Sequence, residues 1–274
     1  MPELPEVETV AAGLRPALVG RTIRGCDVRF PGMVRHPTPE HFAARATGRR
    51  ILAVDRRGKY ILLRLDDAQV LVVHLGMTGQ LRCVDPATPA PAHLHVVFAL
   101  DDGCELRYRD PRRFGRLLLG TEEELLAERK LPHLGPEPLD DHFSAGDLYR
   151  RLRARTAPIK ALLLDQRIVA GVGNIYADES CFRSRIRPDR PAGTLSRRSV
   201  GRLRDALHDV IGEAIANRGS TVIDYRDAWG EIGGHQDRLL VYGRGGEPCA
   251  RCGRPLRLTR IGGRSTVYCG RCQR

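Results

Sequence analysis

An α+β fold in two domains follows from three features of the sequence. A helical segment opens the chain and gives way to a long run of short β-type segments. Helical periodicity returns after about residue 147, and four cysteines in two close pairs end the chain. The expected architecture is an N-terminal helix with a β-sandwich or barrel, then a helical domain closed by a zinc-held β-hairpin. A length of 274 residues suits two domains, since one domain takes ~100–200 residues. A hydrophobic fraction of 42% is enough for real cores.

Taken in order, Pro5 through Leu18 reads as a helix. Proline suits the first turn, Glu6 and Glu8 complement the helix dipole, and Val7, Val10, Ala11, Leu14 and Leu18 share one face. From Thr22 to about Leu119 the runs are short, β-favouring and separated by Gly, Asp and Pro turns. Examples are Tyr60–Leu65, Val70–Val73, His95–Phe98 and Leu106–Tyr108. The first domain is therefore expected over 1–130, with a Pro- and Gly-rich hinge over 131–145. A helical domain is expected over 146–238, with Leu203, Leu207, Val210, Ile211 and Ile215 marking one helix face. Its last stretch, 218–238, is polar and Gly-rich and reads as a mobile loop. Residues 239–274 form the metal module.

In that module Cys249, Cys252, Cys269 and Cys272 are spaced C-x2-C, sixteen residues, C-x2-C. The sequence has no secretory signal, so a reducing compartment is expected and disulfides explain the pairs poorly. Four thiolates at this spacing make a closed tetrahedral zinc site, which is structural because no coordination position stays open. Gly262-Gly263 lies midway between the pairs as a hairpin turn, with Arg264 following it. From residue 241 onward eight arginines face one acid, Glu247, a composition suited to holding phosphates.

Charge points the same way. Lys+Arg number 45 against 33 Asp+Glu, a net +12. Residues 141–274 hold 25 basic and 14 acidic side chains, and residues 1–140 hold 20 and 19. A basic half beside a neutral half calls for a polyanion, nucleic acid before a membrane surface. No apolar run approaches the ~18 residues of a spanning helix. The acidic start Met1-Pro2-Glu3 lacks the basic-then-apolar order of a secretory signal. A soluble, cytoplasmic protein is expected.

Two residue types could carry chemistry. Removal of Met1 would leave Pro2 with a free secondary amine. An α-amino group titrates near ~8 against ~10.4 for lysine, so far more of it is neutral at pH 7. Such an amine can attack an aldehyde-level carbon to give an iminium, an electron sink, with Glu3 beside it for proton transfer. Read alone, Pro2 merely starts the chain and Glu3 is a surface acid. Lysine is the second clue. Only Lys59, Lys130 and Lys160 occur beside 42 arginines, and an ammonium can give up a proton where guanidinium cannot. Lys59 follows Arg56-Arg57-Gly58 at the mouth of an expected strand.

The start Pro2-Glu3-Leu4-Pro5-Glu6-Val7-Glu8-Thr9 together with the terminal four-cysteine finger resembles the bacterial formamidopyrimidine-DNA glycosylase family. Further matches are Arg57-Gly58-Lys59-Tyr60, His74-Leu75-Gly76-Met77, Asp110-Pro111-Arg112-Arg113-Phe114-Gly115, Leu134–Leu139 and Gly171–Ala177. They run in order along nearly the whole chain. The resemblance implies a β-sandwich, a helix–two-turns–helix domain and one structural zinc in a monomer. It also implies removal of oxidised purines from duplex DNA followed by strand cleavage. By similarity Pro2 attacks C1′ and Glu3 moves protons on the sugar side. Lys59 gives the proton of β-elimination, and Arg264 serves δ-elimination, which for a permanently charged guanidinium means holding the departing phosphate. Met77 and Phe114 prop the gap left by the everted nucleotide, and Arg112 meets the orphaned base. His93, Arg112, Arg155 and Asn174 match DNA contacts, with Arg155 where the family often has lysine. Segment 218–238 matches a loop that closes over the everted base, and its Arg218 stands where glycine is common. An endonuclease VIII-type enzyme for oxidised pyrimidines is the nearest alternative. Leu4 and the complete wedge triad weigh against it. A non-catalytic DNA-binding finger protein is a further alternative, opposed by the intact Pro2, Glu3 and Lys59.

Overall fold

The computed structural model describes residues 1–274 except Arg129 and Ile223. One position of the expected first domain and one of the expected loop thus lie outside the described residues. The chain forms two compact units, Met1–Pro132 with Asn217–Gly234, and His133–Ala216 with His235–Arg274.

The first unit contains α1 (Leu4–Leu18), β1 (Ile23–Val28), β2 (Val34–His36), α2 (Pro39–Ala46), β3 (Ile51–Arg57), β4 (Tyr60–Leu65), β5 (Gln69–His74), β6 (Gln80–Val84), β7 (Leu94–Leu100), β8 (Glu105–Arg109), β9 (Arg116–Thr121) and α3 (Glu122–Ala127). One antiparallel sheet runs β1-β7-β8-β6. The other runs β2-β9-β5-β4-β3, antiparallel except where β2 lies parallel to β9. Leu63, Leu71 and Leu117 from one sheet meet Val96, Phe98 and Leu106 from the other in one core. This is a β-sandwich, one of the two architectures expected from the short β-type runs. The expected face of α1 closes that core, with Val7, Val10, Ala11, Leu14 and Leu18 all buried.

Segment Asn217–Gly234 departs from the expected domain layout, which placed it at the end of the helical domain. It belongs to the first unit because Tyr225 and Ala228 join the same core as α1. Hydrogen bonds to Glu6 of α1 reinforce this, as described below. The expected 131–145 hinge divides at Pro132, and its remainder goes with the second unit.

The second unit contains α4 (Ala145–Leu152), α5 (Ile159–Leu164), α6 (Asn174–Arg183), α7 (Arg197–Ala216), β10 (Arg257–Ile261) and β11 (Arg264–Tyr268). Ser144 Oγ caps α4 by accepting from Asp147 N at 3.0 Å. Helix α6 is buried from Ile175 through Phe182, and α7 lays Leu203, Leu207, Val210 and Ile211 inward as expected. Strands β10 and β11 pair antiparallel, with Ile261 opposite Arg264. The two intervening glycines have φ of +55° and +74°, the two left-handed residues that a tight hairpin of this twist demands. Among the described residues no helix is long and apolar enough to cross a membrane.

Candidate active site and nucleic-acid interface

From Pro2 onward the start of the chain is buried in the first unit. Pro2 is buried, Glu3 is 3% exposed, and its N–H donates to Glu6 Oε2 at 2.8 Å. The other oxygen of Glu6 accepts from Ser220 N at 2.7 Å, and Tyr225 Oη donates to the Glu6 carbonyl at 3.4 Å. One carboxylate therefore joins the first turn of α1 to segment Asn217–Gly234. Lys59 is buried in the β3–β4 turn. Arg56, at the end of β3, donates from Nε to Glu8 Oε2 at 2.8 Å and ties that strand to the first turns of α1. Near Lys59, burial first, then the Arg116 and Lys59 cations, hold the His74 imidazole down at about 4. His74 is accordingly neutral at pH 7, and its Nδ1 accepts from Gly76 N at 3.1 Å.

Met77, Arg112 and Phe114 lie on two adjoining loops, one after β5 and one between β8 and β9. Gly76 has φ +63°, and a Cβ there would lie 2.5 Å from Gly115 N, so only glycine lets the two backbones approach this closely. Asp110 fastens the loops from within. Its Oδ1 accepts from Thr78 Oγ1 at 2.5 Å and from Arg112 N at 3.3 Å, and its Oδ2 from Gly115 N at 2.8 Å. Phe114 is 56% exposed, and the Arg112 guanidinium stands 4.8 Å from its ring centroid. A phenylalanine held out in water by a fully bonded buried aspartate is an unusual use of an aromatic ring, and suits insertion. His93, also exposed, sits at φ +64° just before β7.

The remaining candidates belong to the second unit. Asn174 begins α6 and donates from Nδ2 to Ser265 O at 3.1 Å, leaving its second amide hydrogen for another acceptor. Lys160 of α5 is fully buried and lies 2.7 Å from Asp178 Oδ1. Its ammonium donates to Ser265 O at 2.7 Å and to Thr266 Oγ1 at 2.8 Å. Asp178 Oδ2 accepts from Val267 N at 3.0 Å. Three side chains of the helices thus grip β11 at and just after Ser265, fixing exposed Arg264 one residue away. Arg155 is exposed after α4.

The four cysteine Sγ atoms lie within 4.8 Å of one another, with Cys252–Cys269 at 3.5 Å and Cys249–Cys272 at 4.0 Å. A zinc ion with Zn–S bonds of ~2.3 Å sets its sulfurs about 3.8 Å apart, so the cluster fits the ion. Arg251 N and Cys272 N donate to Cys249 Sγ and Cys269 Sγ, each at 3.4 Å, the pattern that stabilises bound thiolates. The chain holds one structural zinc through Cys249, Cys252, Cys269 and Cys272.

Sequence reasoning missed Glu6, Asp110, Asp178 and Ser220 as organisers of these sites. For Lys160 a signal existed. In a chain with three lysines and 42 arginines, Lys59 and Lys160 are both buried.

Comparison with known proteins bears on the whole chain. Residues 1–117 match the formamidopyrimidine-DNA glycosylase N-terminal domain, 134–225 the formamidopyrimidine-DNA glycosylase H2TH domain, and 246–274 the zinc finger found in FPG and IleRS. A formamidopyrimidine-DNA glycosylase of Geobacillus kaustophilus is 48% identical over 275 residues, covering 100% of both chains. The crystal structure of the MutM (Fpg) protein of Thermus thermophilus superposes with a TM-score of 0.89 at 45% identity, covering 99% of this chain and 98% of that one. The Lactococcus lactis Fpg in complex with abasic-site-containing DNA superposes with a TM-score of 0.92 at 35% identity, covering 99% of each.

Proposed function

The chain belongs to the formamidopyrimidine-DNA glycosylase family, and from that premise we propose that it excises oxidised purines, 8-oxoguanine and formamidopyrimidines, from duplex DNA and then cuts the strand. The observation that carries the reading is the buried first turn, in which Pro2 and Glu3 sit beside the Glu6 carboxylate with Lys59 buried in the strand turn tied to α1. An amine at this place is shielded from bulk water, as a nucleophile that forms an iminium requires.

In this reading Met1, which is half-exposed, is removed and the Pro2 nitrogen bonds to C1′ as the damaged base leaves with the bonding electrons. Glu3 takes and returns protons on the sugar. The iminium acidifies the C2′ proton, β-elimination expels the 3′ phosphate with Lys59 as proton donor, and δ-elimination expels the 5′ phosphate while Arg264 holds it. Met77 and Phe114 fill the vacated stack, Arg112 meets the orphaned base, and His93, Arg155 and Asn174 hold the backbone. The enzyme works as a monomer on chromosomal DNA in the cytoplasm.

Borohydride added during turnover on 8-oxoguanine DNA tests the chemistry. It should trap the chain covalently, with the cross-link on the N-terminal peptide, and a chain that retains Met1 should neither trap nor cut. A cross-link at Lys59, or full strand cutting with Met1 in place, would overturn the mechanism.

A further inference from the structure

The second unit contains a cavity of about 840 Å³ lined by Arg185, Arg190, Arg202, Arg251, Arg271 and Arg274, with only Ile186 and Cys272 beside them. No acidic side chain lines it, and among the described residues none of the six arginines is paired with an Asp or Glu side chain. The contrast with their neighbours is sharp, because Arg183 is paired with Glu213 at 2.5 Å and Arg187 with Asp189 at 2.6 Å.

Three of the guanidiniums are held in place by groups other than acidic side chains. Arg190 donates to Thr194 Oγ1, to the Thr194 carbonyl and to a main-chain oxygen of Arg274, and Arg202 to Ser199 Oγ and the Ser184 carbonyl. Arg251 donates to the carbonyls of Phe182 and Arg183 and stacks 4.5 Å over the Phe182 ring. Capping the carbonyl end of α6 accounts for Arg202 and Arg251. It leaves Arg185, Arg190, Arg271 and Arg274 unexplained. Six cations around one cavity outnumber the negative charge of the zinc–thiolate cluster that Cys272 brings to it, and the excess repulsion is a cost that a bound anion removes. Arginine is also the side chain suited to taking phosphate oxygens two at a time. The volume lies in the range of small-molecule sites and far exceeds one phosphate.

The cavity is separate from the grip built around Asn174 and Arg264. Asn174 opens α6, whereas Phe182 and Arg183 close it with Arg185 two residues beyond, and ten residues of helix span about 15 Å. Arg264 stands beside the turn of the β10–β11 hairpin, whereas Arg271 and Arg274 follow its open end.

We propose that this arginine cavity is a second binding site for a chain of phosphates, distinct from the site that engages the damaged strand. Two sources share that chemistry, the backbone of a second DNA segment and a free polyphosphate.

The test uses the full-length zinc-loaded chain, saturated with a duplex carrying a non-cleavable abasic analogue so that the first site is filled. Linear polyphosphate and an undamaged duplex are then titrated separately, with Arg185→Gln/Arg271→Gln as the variant and Arg185→Lys/Arg271→Lys as its charge-retaining control. We expect at least one ligand to bind to the saturated protein. The double-Gln variant should weaken that binding and lower the slope of log K against log salt by about 1.8, two contacts' worth. The lysine control should keep most of the slope. Binding of the duplex assigns the site to a second DNA segment, and binding of polyphosphate alone assigns it to a free anion. Without ligand at low salt, the double-Gln variant should melt no lower than wild type, since it relieves repulsion. The proposal fails if neither ligand binds, if the variant binds as wild type does, or if the ligand-free variant melts clearly lower. None of these readouts depends on the cleavage chemistry.

Discussion

Replacing Asp110 by asparagine tests whether the two wedge loops act as one part. Asp110 is fully buried, and its two oxygens take the Thr78 hydroxyl and the amides of Arg112 and Gly115. An amide of the same shape puts an NH2 where one of these donors must be accepted. A buried donor left unmet costs about 1–3 kcal/mol, and the surviving bonds lose their charge assistance, so the expected loss is about 2–4 kcal/mol. The loss falls on the loops that carry Met77, Arg112 and Phe114. It should lower the midpoint of urea unfolding of the first unit and loosen the wedge. Base release from a paired 8-oxoguanine under single-turnover conditions should fall at least tenfold, since ~1.4 kcal/mol is already a factor of ten. Strand cutting at a preformed abasic site, where no paired base must be unstacked, should change by about threefold or less. Equal losses on the two substrates would refute the wedge argument. An unchanged unfolding midpoint would refute the claim that this carboxylate holds the loops.

Three further outcomes follow from other parts of the chain. Metal analysis should find one zinc per chain, and Cys252→Ser should lose it, melt the β10–β11 hairpin and weaken DNA binding at least tenfold while the sandwich stays folded; a variant that binds DNA normally would contradict this. Arg264→Ala should flatten the slope of log K against log salt by about 0.9, one phosphate contact, as measured by anisotropy titration. His74 binds its proton less well when folded, at about 4 against an ordinary 6.5. The unfolded chain therefore takes up the proton first, and stability falls as pH drops from about 6.5 to about 4, by on the order of 2–3 kcal/mol. His74→Gln should flatten that part of the pH–stability curve, and an unchanged curve would place the acid lability elsewhere.

The sequence made some parts of this molecule legible and hid others for identifiable reasons. Cysteine spacing is a local constraint, so the zinc module and its Gly262-Gly263 turn could be read directly. The face of α1 and the buried runs of β4 and β5 follow from periodicity, which is also local. Phe114 resisted, since hydrophobicity alone assigns an aromatic ring to the core and only the surrounding motif marked it as exposed. Buried acids resisted for the opposite reason. Glu3, Glu6, Asp110 and Glu179 are charged residues that composition assigns to the surface, and each is buried. Glu179, for example, takes the amides of Leu240, Val241 and Tyr242. Segment Asn217–Gly234 was misplaced because its partners in α1 lie far away in the chain, with Glu6 and Ser220 214 positions apart. That is beyond the reach of any pattern in neighbouring residues.

That last pairing has a consequence for how the protein is made. The sandwich is not one continuous stretch of chain. Its final piece, the segment whose Ser220 amide is taken by Glu6, is synthesised only after α4 to α7. Domains usually fold as they leave the ribosome, N-terminal end first. Here the β-strands can assemble early, yet the surroundings of Pro2 stay unfinished until residue 234 has emerged. A truncated or stalled chain would thus carry Pro2 and the strands without the segment that Glu6 fastens beside them, so under the function proposed above a half-made copy would be a poor cutter of intact DNA.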